Sequence, residues 1–165
     1  MRIDSFAYLP RSFRPLYELA PSGDEPVWAP FEPRLAEATI ALLSSAGLYV
    51  KGEQPPFDLD RERAEPTWGD PTHRVIPDGT APSALGMCHL HVNNTDVLAD
   101  PEIALPVQRL SELVADGIVG SSAPTHISVM GYQQAGLEGW REHTAPAIVE
   151  RLRDERVDGV VLAPV

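Results

Sequence analysis

A chain of 165 residues with 43% hydrophobic and 22% charged residues suits one α/β domain around one core, and sets disorder aside. Its net charge of −11 repels phosphate backbones and anionic lipid, which excludes nucleic acid and membrane surfaces as expected partners. With Cys88 as the single cysteine no internal disulfide can form, and nothing points to an oxidising compartment.

The N-terminal stretch mixes Arg2, Asp4, Arg11 and Arg14 with apolar residues and has no uninterrupted apolar h-region, so no signal peptide is expected. No run approaches about 18 apolar residues, and the cytoplasm is the simplest location. Six prolines, from Pro10 to Pro33, fall in the first part of the chain. Proline fixes φ and removes a donor, so residues 1–34 are expected to form an irregular arm, with Phe6, Phe13 and Trp28 among its apolar handles. The α/β domain is expected over residues 35–165, as the N-terminal part of a longer domain.

From Thr39 a short continuous apolar run, Thr39-Ile-Ala-Leu-Leu, ends in Ser44-Ser45-Ala46-Gly47. It reads as a buried parallel strand followed by a small-residue turn, where open α/β sheets bind ligands. Residues 54–72 are rich in Pro, Asp, Glu and Arg and read as a long loop. Arg74–Pro77 and Met87–His91 read as two short strands. Pro106–Asp116 reads as a helix, with Val107, Leu110, Leu113 and Val114 on one face and Gly117 as its stop. Residues 120–132 read as loop or short strand. Leu137–Arg156 reads as a second helix, in which Pro146 predicts a kink or break. Val157–Val165 closes the chain as another buried strand. The order of helices and strands argues for a doubly wound, mostly parallel sheet, Rossmann-like but incomplete.

The densest reactive cluster is Cys88-His89-Leu90-His91. On a strand, His89 and His91 share one face and Cys88 takes the other. Two such histidines can share a metal only with a third ligand, for which Asp96, Asp100 and His126 are candidates. Polar lining of a pocket is the simpler reading of the pair, and a small buried hydrophobe the simpler reading of Cys88. Asp70 and Arg74 flank a turn. They either orient a zwitterion, amine on Asp70 and carboxylate on Arg74, or hold the turn as a local pair. The run from Gly120 to His126 offers N–H and hydroxyl groups suited to a carboxylate. No phosphate-binding glycine motif and no nucleophile elbow is present, so neither nucleotide binding nor serine hydrolysis is supported.

Several segments, taken in order, are similar to one family: Val27-Trp-Ala-Pro-Phe31, Ala41 to Lys51, Gly69-Asp-Pro-Thr-His-Arg-Val-Ile-Pro77, His89-Leu-His91, Ala104 to Val114, Ile118-Val-Gly120 and Ser128-Val-Met-Gly-Tyr132. Together they resemble the selenoprotein B family, which includes the B components of glycine, sarcosine and betaine reductases and of D-proline reductase. The resemblance implies a selenol- or thiol-dependent reductase component acting on a small amine or amino-acid-like substrate. It implies Asp70, Arg74, His89, His91 and His126 as substrate-binding candidates, and no resident metal. In that family the strand resembling Val157–Val165 is followed at once by selenocysteine or cysteine, so the catalytic residue is expected just after Val165, with this chain truncated at that codon. The resemblance further implies partner reductase subunits, one carrying a pyruvoyl group, and a thiol reductant. Tyr49 and Val92-Asn93-Asn94 depart from the family pattern and point to a different substrate. Two other readings stay open: a non-catalytic binding or scaffold subunit ending at Val165, and a metal-dependent enzyme using His89 and His91.

Overall fold

The computed structural model describes residues 29–133, 135 and 137–165. The chain divides into a unit of Met1–Pro30 and a unit of Phe31–Val165. Most of the expected proline-rich arm, up to Trp28, lies outside the described residues.

Strand β1 (Thr39–Ser44) is the centre of the larger unit. Its side chains feed two separate cores. Ile40 and Leu42 pack in one cluster with Val97, Leu110 and Val119, while Leu43 packs with Ile127, Val129 and Ile148 on the other face. A strand buried on both faces needs an unbroken apolar run rather than alternation, and this one has it.

One edge of β1 pairs in parallel with β7 (Gly159–Ala163), from Ile40↔Gly159 to Ser44↔Ala163. The other edge pairs in parallel with β5 (Ser121–Ser122) and then β6 (Thr125–Val129). Strand β3 (His73–Pro77) runs antiparallel to β6. The sheet is therefore mixed and mostly parallel. A separate antiparallel pair joins β2 (Leu48–Val50) to β4 (Leu85–Met87).

Five α-helical segments are described: α1 (Leu59–Ala64), α2 (Asn94–Ala99), α3 (Val107–Ala115), α4 (Leu137–Gly139) and α5 (Ala145–Asp154). Residues of α2 and α3 join the core on one face of the sheet, and residues of α5 join the core on the other. No helix among the described residues is long and apolar enough to cross a membrane.

Four expectations are corrected. The loop expected over residues 54–72 contains α1, begun by Asp58, whose Oδ1 accepts the Arg61 N–H at 3.0 Å. Flanking Pro55, Pro56 and Pro66 mask so short a helix in the sequence. The strand expected over Met87–His91 stops at Met87, because the His89 ring turns back to accept the His91 N–H through Nδ1 at 3.2 Å. His89 and His91 thus do not share a strand face. The helical run expected over Leu137–Arg156 is present over Leu137–Asp154, and its irregularity lies just before Pro146 rather than at it. A π-helical segment, Trp140–Thr144, joins α4 to α5 and sits where Pro146 has no N–H to give to the preceding helical carbonyls. Finally, β7 is not buried: Val161 is 49% and Leu162 66% exposed.

Candidate functional site

The parallel strands β1, β6 and β7 end side by side, and a cavity of about 420 Å³ lies at their C-terminal tips. Leu43, Val129, Leu162 and Trp140 make its apolar wall, and Ser45 and Gln133 bring polarity. This is where a parallel α/β sheet leaves room for a ligand, because the loops diverge beyond the last ladder bonds. Gln133 donates through Nε2 to the Asp70 carbonyl at 2.8 Å, which fixes the orientation of its amide. Its Oε1 is buried and has no partner among the described residues, and neither has the buried Trp140 indole Nε1. One acceptor and one donor are thus buried and unmet in residues that line this mostly apolar cavity. Such atoms are costly to bury unless something completes them. Trp140 opens the π-helical segment, a distortion found often at functional sites. Thr144, at the segment's other end, donates its hydroxyl to the Pro71 carbonyl.

The tail of β7 reaches the same cavity. Pro164 lines it, and the Val165 N–H donates to Ser45 Oγ at 2.9 Å.

A second, smaller cavity of about 230 Å³ is walled by Glu62, Trp68, Leu90, His91 and Tyr132, with Arg63 and Pro66. Glu62 is 5% exposed, and among the described residues neither carboxylate oxygen has a full hydrogen-bond partner. Burial raises the Glu62 pKa above the usual carboxylate range. His91 and the Asp70 backbone N–H oppose the shift, while the Asp70 and Asp58 carboxylates add to it. The His91 ring meets Tyr132 at 5.4 Å between centroids and His89 edge-on at 5.9 Å.

The residues singled out in the sequence take the following places. Asp70 is buried and fully engaged: Oδ1 accepts the Thr72 N–H at 2.9 Å, and Oδ2 accepts the Asp58 N–H at 3.0 Å. Arg74 donates through Nε to the Pro55 carbonyl at 2.8 Å and lies 4.1 Å above the Phe57 ring. Burial lowers its pKa from the ordinary arginine value. Thr72 Oγ1 bridges the two, donating to Asp70 and accepting from Arg74. His89 is buried and held below its ordinary pKa by burial and then by His91. His126 is wholly buried, accepting the Leu42 N–H at Nδ1 and facing Asp78 at Nε2. Of these five, only His91 lines the second cavity and none lines the first.

Cys88 is buried beside Phe57 and Met130, and burial raises its thiol pKa, which disfavours the thiolate. Tyr49 packs on that same cluster and lines neither cavity. Asn93 caps α2, accepting the Thr95 N–H at 3.1 Å. Among the described residues no group of three or more His, Cys, Asp or Glu is placed to hold a metal ion. Gln133, Trp140 and Glu62 were not legible as site residues. Glu62 sits in the charged run Asp60-Arg-Glu-Arg63, which reads as a solvated helix face, and only the fold buries it.

Comparison with known proteins gives one informative match. The D-proline reductase subunit gamma of Acetoanaerobium sticklandii is 30% identical over 142 residues, covering 86% of this chain and 54% of that protein. The chain therefore spans about half the length of the curated relative it matches. The match supports a distant relation to that reductase family without selecting a member. No protein-family model and no solved structure matches.

Proposed function

We propose that this chain is part of a reductase component that uses a selenol or thiol to reduce a small amine or amino-acid-like molecule, the reactive residue being carried by sequence that continues from β7. The observation that carries the reading is the cavity at the tips of β1, β6 and β7, with the end of β7 on its wall. The distant relation to a D-proline reductase subunit supports the reaction class. A nucleophile in the next residues would start beside this cavity. Cys88 suits the role poorly, since burial raises its thiol pKa and so disfavours the thiolate.

The chemistry runs in two exchanges. The selenolate or thiolate attacks the carbon that bears the amine, forming a carbon–chalcogen bond as the amine leaves. A second thiolate then attacks the chalcogen, and the released carbon takes a proton. This leaves a selenenyl sulfide or disulfide for an external dithiol to reduce. The amine-activating pyruvoyl group of the amino-acid reductases would belong to a partner subunit. The apolar outer edge of β7, with Val161 and Leu162 exposed, offers a surface that a further strand or such a partner would cover.

Sequencing the gene through the codon after Val165 tests the proposal directly. A TGA or cysteine codon followed by an open frame carrying another cysteine is the expected result. A frame that closes at once with TAA or TAG would overturn it. In the longer product, Trp140→Phe is expected to leave the melting temperature unchanged or slightly higher, since it removes an unmet buried donor. Its kcat/KM is expected to fall by roughly tenfold, because the reshaped cavity wall misplaces the substrate. Unchanged kcat/KM would remove this cavity from the reaction.

A further inference from the structure

We propose that the cavity walled by Glu62, Trp68, His91 and Tyr132 binds a small organic ammonium ion, with the Glu62 carboxylate as its counter-ion. The proposal stands apart from the reductase reading, because it concerns a separate cavity and is tested by binding alone.

Glu62 is the observation that asks for a ligand. It is 5% exposed and lines the cavity, and among the described residues its oxygens meet no full hydrogen bond, the Asp70 backbone N–H acting on them only weakly. Its helix gives no structural reason for it to be buried: α1 is capped by Asp58, and its outer ion pairs are Arg61–Glu65 and Arg63–Asp60. A buried carboxylate so poorly paired is expensive, and an ammonium ion bringing charge and N–H donors offsets that cost.

The remaining walls select the kind of cation. Trp68, Tyr132 and the His91 ring supply aromatic surface, and Pro66 and Leu90 supply aliphatic surface. Aromatic rings around a carboxylate suit a charged amine with an alkyl body. Trp68 is held in position by the Arg61 guanidinium, 4.3 Å from its ring centroid. Arg63 also reaches the wall, but its guanidinium is engaged by Asp60 at 2.9 Å. A divalent metal fits less well, because it needs several oxygen or nitrogen ligands, and this wall offers one carboxylate, one imidazole and one phenol beside the Arg63 cation. The volume of about 230 Å³ limits the guest to a small molecule.

The test is a titration of the purified chain with n-propylammonium chloride, with n-propanol as its neutral match, read by NMR at the Trp68 indole and the His91 ring. Saturable shifts at both residues with the amine and not with the alcohol are expected. Glu62→Gln should weaken amine binding about tenfold or more while its melting temperature holds, since the amide carries no buried charge. Should Glu62→Gln fail to fold, Trp68→Leu takes its place, with amine binding expected to weaken several-fold. Equal response to amine and alcohol, no saturable response to the amine, or wild-type affinity in the folded variant would overturn the proposal.

Discussion

Gly47→Ala is expected to cost about 2–5 kcal/mol, a large part of the roughly 5–15 kcal/mol that a domain of this size has. Two penalties add at this residue. Its φ of +66° lies in the left-handed region, which costs a side-chain-bearing residue roughly 1–2 kcal/mol. A Cβ placed there would stand 2.1 Å from the Cys88 carbonyl oxygen and 2.5 Å from Met130 Sδ. The methionine tip can yield, but the carbonyl cannot easily do so. Gly47 donates its N–H to Val129 O and accepts the Cys88 N–H at its own carbonyl, both at 2.9 Å, so the backbone is pinned from two sides. Overpacking of this kind typically adds 1–3 kcal/mol or more. Gly52 is the control. It has a φ of +80° and nothing within 4 Å of an added Cβ, so Gly52→Ala should cost only the conformational part, roughly 1–2 kcal/mol. Urea denaturation of both variants checks the pair. Midpoint shifts of equal size would show that the close approach at Gly47 has no energetic consequence.

That close approach matters for the site as well as for stability. Gly47 is where the turn after β1 lies against Cys88, immediately before His89 and His91, and against Met130 on the wall of the larger cavity. The neighbouring segment serves both cavities: Gln133 lines the larger and Tyr132 the smaller. The Gln133 amide also holds the Asp70 carbonyl. Asp70 in turn accepts the Asp58 N–H at the start of the helix that carries Glu62. A chain of backbone and side-chain hydrogen bonds therefore links the two cavities.

The scaffold was far more legible in the sequence than the sites. The apolar run at Thr39–Leu43 announces a doubly buried strand, and the 3.6-residue spacing of Val107, Leu110 and Val114 announces α3. Periodicity reports which faces are buried, and it works wherever a whole face is. It does not report which single polar side chain the tertiary fold encloses. Asp70, Arg74 and His126 look chemically capable in one dimension, yet their polar atoms are engaged by backbone groups and near neighbours. Glu62 looks like surface and is buried. The burial expected for β7 also fails for a physical reason. An apolar sequence states what a strand could bury, while its actual burial depends on what covers it, and Val160, Val161 and Leu162 are left open.

Lowering the pH from about 7 to about 5 is expected to lower the unfolding midpoint, with His126 as a principal cause. Its ring fills a gap in the β1 ladder: β5 pairs with Thr39 and Ile40, β6 pairs with Leu43 and Ser44, and His126 Nδ1 accepts the Leu42 N–H between them at 3.2 Å. An acceptor at Nδ1 requires the ring proton on Nε2, which faces Asp78 Oδ1 at 3.1 Å. Protonating Nδ1 would replace that acceptor with a second donor aimed at an N–H. Burial accordingly holds His126 below the ordinary histidine pKa despite the opposing pull of Asp78. His73 and His89 are lowered too, chiefly by burial, with Arg151 and Arg74 adding at His73 and His91 adding at His89. Below about pH 6.5 the unfolded chain binds protons at these rings before the folded chain does, so their contribution is present above that pH and lost beneath it. Glu62 acts in the opposite sense, because its raised folded pKa makes its burial less costly as the pH falls. His126→Gln removes one titrating ring and should flatten the acid limb of the midpoint curve. At pH 7.5 it is expected to be less stable than wild type by about 1–3 kcal/mol through imperfect pairing of the Leu42 N–H. An acid limb of the same slope in wild type and in His126→Gln would show that this ring protonates as readily folded as unfolded, and the ladder role assigned to His126 would fall with it.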